Sequence, residues 1–308
     1  MKNSHQQQAT SIDERVAVVG LGQMGGRIAK RLLACGRIVG VHDADMQRMQ
    51  ALVDEGAVAY NALPSLAADH DVVLTVLPNA AVVRAVALGR DGLAAGLRPG
   101  SLVVDMTTSI PEVTREIEAA LAKLGVHMMD APVSGGVAKA EQGALTIMVG
   151  ATERDLHRST PILRDLASAI VHVGDVGAGH VAKALNNLIT ATTLAITSEA
   201  LAVGVKMGVD AQRLLDVINA GSGRSAASET KFPQQVLSRR FAPGFSVDLM
   251  AKDVGVALDM SIQSGAPARV THAVRTLWDL VAASGRGNMD HSAVALFIEE
   301  EVGVEIKG

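Results

Sequence analysis

The stretch "RVAVVGLGQMGGRIAKRLLACG", residues 15–36, decides the fold. Val16 to Val19 form a short apolar run suited to a strand. Gly20, Gly22 and Gly25 follow in the G-x-G-x-x-G spacing. Helical periodicity then runs through Ile28, Leu32 and Leu33 and ends near Gly36. A second strand-like run, "RIVGVHD" (37–43), closes on Asp43, 23 residues after Gly20. A lone glycine triplet means only a tight strand-to-helix turn. Strand, turn, helix, strand and acid in this order are the context in which it reads as a dinucleotide-binding fingerprint. Gly20 permits the turn, Gly22 lets a pyrophosphate approach the backbone, and Gly25 lets the helix pack on the sheet. The helix N-terminus then faces the phosphates. Asp43 accepts hydrogen bonds from adenosine ribose hydroxyls and repels a 2′-phosphate, so NAD is expected rather than NADP. Arg48 is read as a solvent-facing helical residue, with reach to a phosphate as the alternative.

The alternation continues outward from that unit. "DVVLTVLP" (71–78) reads as a buried parallel strand stopped by Pro78. "SLVVDMTTSIP" (101–111) reads as another, followed by a helix over 111–124. "VHMMDAPVSGG" (126–136) reads as a strand ending in a glycine turn, and "LTIMVG" (145–150) and "AIVHVG" (169–174) add two more. Strands joined by helices predict a doubly wound α/β domain of the Rossmann type, with its ligand crevice at the carboxyl strand ends. That rule points to 77–79, 107–109 and 134–136. In the last of these, Ser134 and the amides of Gly135 and Gly136 either form a plain flexible turn or cradle an anion such as a carboxylate.

From Ala178 the pattern changes to helix without convincing strand. A long helix opens on "AGHVAKALNNLIT" (178–190), and further helices are expected over 211–220, 230–239, 246–264, 267–284 and 290–300. The predicted organisation is a disordered tail over 1–14, a dinucleotide-binding domain over 15–177, and an all-helical domain over 178–308 joined through the long helix. The cleft between the domains is the expected site. Lys183 and Asn187, four apart, share one helical face inside an otherwise apolar segment. Lys252 and Asp253 interrupt a second apolar stretch, where an i,i+4 pair of Lys252 with Asp248 is the plain alternative.

Composition bounds the rest. The 308 residues are 48% hydrophobic and 19% charged, enough for two domains and a buried core. Aromatics are scarce at 2%, so helices packed through small residues are expected. One cysteine, Cys35, excludes an intrachain disulfide framework and a thiolate cluster. The nine histidines show no zinc-ligand spacing, so no metal is expected. A net charge near −4 gives no sign of a nucleic-acid surface. The polar start has no apolar run of the signal-peptide kind, and apolar runs elsewhere stop short of membrane-spanning length, so a cytoplasmic protein is expected. The small helical domain is expected to bury its faces in a homodimer or homotetramer.

These motifs together resemble the β-hydroxyacid dehydrogenase family, which includes 3-hydroxyisobutyrate dehydrogenases and tartronate semialdehyde reductases. The resemblance covers nearly all the chain after residue 14. "GLGQMG" (20–25) is similar to the family's cofactor turn, "DMTTSIP" (105–111) to its loop near the nicotinamide, with Thr107 where Ser is common, and "DAPVSGG" (130–136) to its substrate signature. "GHVAKALNN" (179–187) is similar to the catalytic helix segment and "LMAKD" (249–253) to the stretch that closes the cleft. The resemblance implies Lys183 as catalytic acid/base, Asn187 orienting the substrate, and Ser134, Gly135 and Gly136 binding its carboxylate. It implies Gly20, Leu21, Gly22, Gln23, Met24, Gly25, Asp43, Leu77, Pro78, Thr108, Phe245 and Lys252 around NAD, with Asp253 in support. The retained lysine argues against the imine-reducing relatives.

The implied chemistry is hydride transfer between NAD and a small 3-hydroxy carboxylic acid, with a neutral Lys183 taking the alcohol proton; desolvation or nearby positive charge serves that neutrality. Arg224, in "NAGSGRSAASETKFP" (219–233), is the candidate for a second carboxylate on a substrate such as 2-(hydroxymethyl)glutarate, unless it caps a helix or pairs with Glu229. Threonate and tartronate semialdehyde are further substrate candidates. A non-catalytic NAD-sensing protein on the same fold is the reading from another class.

Overall fold

The structure, a computed structural model, describes residues 14–308. The expected tail at 1–14 lies outside the described residues except for Glu14. Two compact units divide between Lys183 and Ala184.

In the first unit, strands and helices alternate as β1 (Val16–Val19), α1 (Gln23–Ala34), β2 (Val39–His42), α2 (Met46–Val53), β3 (Val58–Ala59), α3 (Leu63–Asp69), β4 (Val72–Thr75), α4 (Ala80–Leu88), β5 (Leu102–Asp105), α5 (Pro111–Ala122) and β6 (His127–Asp130). Then come β7 (Val133–Ser134), α6 (Gly136–Gln142), β8 (Leu145–Gly150), α7 (Glu153–Leu166) and β9 (Ala167–Gly174). The sheet order is β3-β2-β1-β4-β5-β6-β8-β7, with β9 also on β8. Its first six strands are all parallel. The order reverses between β1 and β4, the switch point at which such sheets bind ligands.

Alternation of side chains along each strand builds two cores. Val16, Val18, Val72, Leu74, Leu102 and Val104 pack with Ile28 and Leu32 of α1 and Ile162 of α7. Ala17, Val19, Val73 and Val103 pack on the other face with Leu66 of α3, Val83 of α4 and Ile117 of α5. Both faces are apolar, which is why these strands read as continuous hydrophobic runs. The register sets the last residues of five strands in one row: His42, Val19, Thr75, Asp105 and Asp130.

The single strand expected over 126–136 is two. Pro132 has no amide proton to give to a ladder. The chain breaks there, and β7 pairs antiparallel with β8 instead of extending β6.

The second unit begins inside α8 (Ala178–Lys206) and continues with α9 (Ala211–Ala220), α10 (Val247–Gln263), α11 (Arg269–Val281) and α12 (Val294–Val302). The helix expected over 230–239 lies at Ala227–Leu237 and is wound as a π-helix, with Pro233 inside it. Proline lacks the N–H that a regular helix needs, and wide turns of this kind accommodate the loss. Trp278 and Phe232, both fully buried, centre a core with Ala191, Leu194 and Leu201 of α8.

The expectation that apolar runs stop short of membrane-spanning length fails for α8. By length and composition it is comparable to a spanning helix. The physical reason is its position: its Ala191, Leu194, Leu201 and Ala202 lie in the unit's core. Leu185, Ile189, Ile196 and Val203, spaced four or seven apart, are exposed along it, with exposed Met207 just past its end.

Candidate active site

The three glycines after β1 have three different reasons. Gly20 has φ +91°, and a Cβ there would lie 2.3 Å from the Val76 carbonyl oxygen. At Gly25 a Cβ would lie 1.8 Å from the Gly20 carbonyl, so only glycine lets α1 approach the strand end. At Gly22 a Cβ would meet nothing within 4 Å. Gly22 is therefore not needed for packing; it leaves bare backbone beside open space. Gly22 also caps α1 without a side-chain bond, and the first turn has no acid. Free amides, a helix N-terminus and open space fit a pyrophosphate. Leu21 is buried, Met24 packs partly on the core and Gln23 is exposed.

Asp43 closes this turn. Its Oδ2 accepts from the Leu21 amide at 2.6 Å and its Oδ1 from the Asp45 amide at 2.8 Å. Arg48 is half-exposed, as a solvent-facing residue should be. It also reaches back, with Nη1 3.7 Å from Asp43 Oδ2 and Nε 3.3 Å from Asp45.

The ends of β4, β5 and β6 form one polar assembly. Asp105 is fully buried and accepts from the Thr75 hydroxyl (2.9 Å) and the Thr107 amide (3.1 Å). Thr107 Oγ1 in turn accepts from the Leu77 amide at 3.0 Å, which fixes the loop after β4 to the loop after β5. Burial pushes the Asp105 carboxyl up to about 6, against the pull of its bonds from Thr107 and Thr75. Asp130, also fully buried, accepts from the Gly177 amide (2.6 Å) and the His180 amide (2.7 Å). It satisfies the open donors at the start of α8, and its charge suits that end of the helix. Burial raises its carboxyl as well, against the pull of the Gly177 and His180 amides. These two acids were not singled out from the sequence. The signal was present: "LVVD" and "HMMD" each end an apolar strand on a carboxylate.

Ser134 ends β7 half-buried, and Gly135 and Gly136 take φ values of +134° and +72°. This is a glycine-dependent turn at the position expected for a carboxylate cradle. Pro78 is exposed and Thr108 half-buried in their loops. Lys183, on α8, is only 7% exposed. A surface lysine that merely snorkels keeps its amine end in water, and this one is buried.

In the second unit, Asn187 is buried on the same face of α8, one turn after Lys183. Its Nδ2 donates to Asp253 Oδ2 at 2.6 Å. Asp253 is fully buried, and its Oδ1 lies 3.2 Å from Lys252 Nζ. Lys252 therefore pairs with its neighbour Asp253. Phe245 is held from behind by His291, whose amide donates to the Phe245 carbonyl at 2.8 Å and whose ring meets the Phe245 ring edge-on at 5.7 Å. Burial pushes His291 down to about 4, so it is neutral near pH 7. Arg224 stands 63% exposed with Nη1 3.6 Å from Glu229. Among the described residues, no group of three or more His, Cys, Asp or Glu side chains is placed to hold a metal.

Two families account for the chain. Residues 15–174 match the NAD-binding domain of 6-phosphogluconate dehydrogenase, and residues 177–298 match the NAD-binding segment of NADP-dependent 3-hydroxyisobutyrate dehydrogenase. The chain is 37% identical to 2-(hydroxymethyl)glutarate dehydrogenase of Eubacterium barkeri, over 96% of its own length and 98% of the relative's. It is 35% identical to an NAD-dependent L-serine dehydrogenase of Pseudomonas aeruginosa, covering 91% and 96% of the two chains. Among solved structures, a Mycobacterium tuberculosis 3-hydroxyisobutyrate dehydrogenase with L-serine superposes with a TM-score of 0.87 at 34% identity, over 92% of this chain and 99% of that one.

Proposed function

The chain belongs to the β-hydroxyacid dehydrogenase family, as an NAD(P)-binding oxidoreductase of the 3-hydroxyisobutyrate dehydrogenase type, and from that premise we propose that it oxidises a small 3-hydroxy carboxylic acid to its semialdehyde or keto form, and reduces it back, with NAD. The observation that carries this reading is Lys183: an amine buried to 7% on the helix face it shares with Asn187. Bound NAD supplies the hydride acceptor. Everything else falls to the chain's own groups.

Asp43 receives the adenosine ribose and disfavours a 2′-phosphate. Lys183 takes the alcohol proton in the oxidising direction and returns it to the carbonyl oxygen in the reducing one. Its burial serves both tasks, because desolvation favours the neutral amine and strengthens the field on developing oxygen charge. Ser134 and the amides of Gly135 and Gly136 hold the substrate carboxylate. Asn187, anchored through Nδ2 to Asp253 and accepting at Oδ1 from the Asn186 amide, orients substrate. Leu77, Pro78 and Thr108 line the cofactor.

For the substrate, a dicarboxylic hydroxy acid of the 2-(hydroxymethyl)glutarate kind is favoured by the similarity to the Eubacterium barkeri enzyme. Arg224 is the group proposed to meet the second carboxylate, leaving its exposed partner Glu229 to do so. The apolar stripe of α8 from Leu185 to Val203 supports burial against a second copy, and the protein is proposed to work as a cytoplasmic homodimer or homotetramer.

The test is absorbance at 340 nm with NAD or NADP against 3-hydroxyisobutyrate, serine, glycerate, threonate, 3-hydroxypropionate and 2-(hydroxymethyl)glutarate. One acid should turn over with NAD, and Lys183→Ala should abolish it. Arg224→Ala should raise KM for a dicarboxylate and spare a monocarboxylate; unchanged kcat/KM for every acid removes Arg224 from the site. Silence across the panel, with NADH still bound, would instead favour an NAD-sensing protein.

A further inference from the structure

His180 sits one turn before Lys183 on α8 and is fully buried. Its backbone N–H donates to Asp130 Oδ2 at 2.7 Å. Its ring Nε2 lies 2.8 Å from the Thr107 carbonyl oxygen, and its Nδ1 lies 2.8 Å from the Thr114 hydroxyl. A carbonyl only accepts, so Nε2 carries the proton and donates. In the neutral ring Nδ1 is then the acceptor, and the Thr114 hydroxyl donates to it. Nothing is stranded by that choice. The Ile110 carbonyl, the hydroxyl's other acceptor at 3.2 Å, already receives the Thr114 amide at 3.1 Å. The charged groups facing the ring are Asp130, with Oδ2 3.7 Å from Nδ1, and Asp105, with Oδ2 3.8 Å from Nε2.

One imidazole thus ties three elements together: the first turn of α8, the loop after β5 through Thr107, and α5 through Thr114. The β5 loop is itself tied to the loop after β4 by Thr107 Oγ1 and the Leu77 amide. Building on the role proposed for Lys183, we infer that His180 is a positioning residue for the reaction. It sets the turn of α8 that carries Lys183 relative to the loop that carries Thr108. A leucine of similar bulk would leave the Thr107 carbonyl without its donor and turn the Thr114 hydroxyl back to the Ile110 carbonyl of its own helix, and α8 would be free to slip against the loop. Misplacement of a reacting group by about 1 Å costs on the order of 100-fold in rate. Loss of the tie should appear in kcat, because the groups that hold the acid's carboxylate lie elsewhere, at 134–136.

The experiment compares the natural chain, His180→Leu, His180→Gln and Lys183→Ala. It measures kcat and KM for the acid identified in the screen, NADH affinity by fluorescence, and thermal melting. His180→Leu should lose kcat on the order of 100-fold, with KM and NADH affinity each within about threefold of the natural chain. His180→Gln, which keeps one donor and one acceptor, should recover at least a tenth of the natural kcat. Full turnover by folded His180→Leu, with Lys183→Ala inactive, overturns the inference alone. Equal losses in the Leu and Gln variants that track a lowered melting temperature also overturn it, since the residue is then only structural. Turnover that survives in Lys183→Ala, or no turnover by the natural chain, removes the reading on which it rests.

Discussion

Replacing Asp105 by Asn tests how the acid at the end of β5 is held. The carboxyl is fully buried, with Oδ1 accepting from Thr75 and Thr107. Its proton leaves near pH 6 in the folded chain and near 3.8 in the unfolded one. The folded state therefore binds more protons between those values. The stability this contributes is fully present below 3.8 and is lost as pH rises through about 6. A shift of about two units is worth about 3 kcal/mol. Asparagine keeps an oxygen for Thr75 and Thr107 and does not titrate. The stability of the Asn variant relative to the natural chain should therefore improve by about 3 kcal/mol between pH 4 and pH 7. Most of that change should fall below pH 6, with a plateau above. Native-state hydrogen exchange of the β4, β5 and β6 amides reads the unit directly, and comparing both proteins at one pH cancels the intrinsic rates. A stability difference that does not vary with pH would refute the assignment of burial as the dominant influence on Asp105.

Two other substitutions probe the second unit. His291→Phe has the opposite sign: burial holds the native imidazole near 4, so its contribution is present above 6.5 and lost as pH falls toward 4. The natural chain should lose about 3 kcal/mol more than the variant over that range, measured by denaturant titration, and parallel pH curves would count against it. Asp253→Ala leaves the Asn187 amide buried without its acceptor. A charged hydrogen bond of this kind contributes about 1.5–3 kcal/mol, whereas the pair with Lys252, one-third exposed, adds at most about 1 kcal/mol after screening. A double-mutant cycle with Asn187→Ala should give a coupling near 2 kcal/mol, and a value under about 0.5 kcal/mol would show the two side chains to be independent.

Several parts of the molecule were legible because their causes are local. The turn at 20–25 needs glycine for steric reasons that involve only its neighbours, and Asp43 follows at the distance one βαβ unit dictates. Helices at 111–122 and 211–220 announce themselves by a first-turn proline or an aspartate cap, Pro111 and Asp210. Lys183, Asn187, Lys252 and Asp253 stood out as charge or amide inside apolar runs. Periodicity could show that such groups face a core. It could not show that Asp253 would take Asn187 as a partner, because residues 66 positions apart meet only through folding.

The remaining features are decided in three dimensions. Read as one strand, 126–136 breaks because β8 offers an antiparallel edge to Val133 and Ser134. The π-helical winding of 227–237 has no period of its own in the sequence. His180 shows the difference most clearly. In the sequence it is a histidine at a helix start, with nothing to mark Thr107 or Thr114, 73 and 66 positions earlier, as its partners. Sequence alone determined which residues are apolar, which turns demand glycine and where a dinucleotide fits, since these follow from side-chain chemistry and local sterics. Tertiary structure decided which buried polar groups meet, because a hydrogen bond depends on distances of about 3 Å that only the packed sheet and helices set.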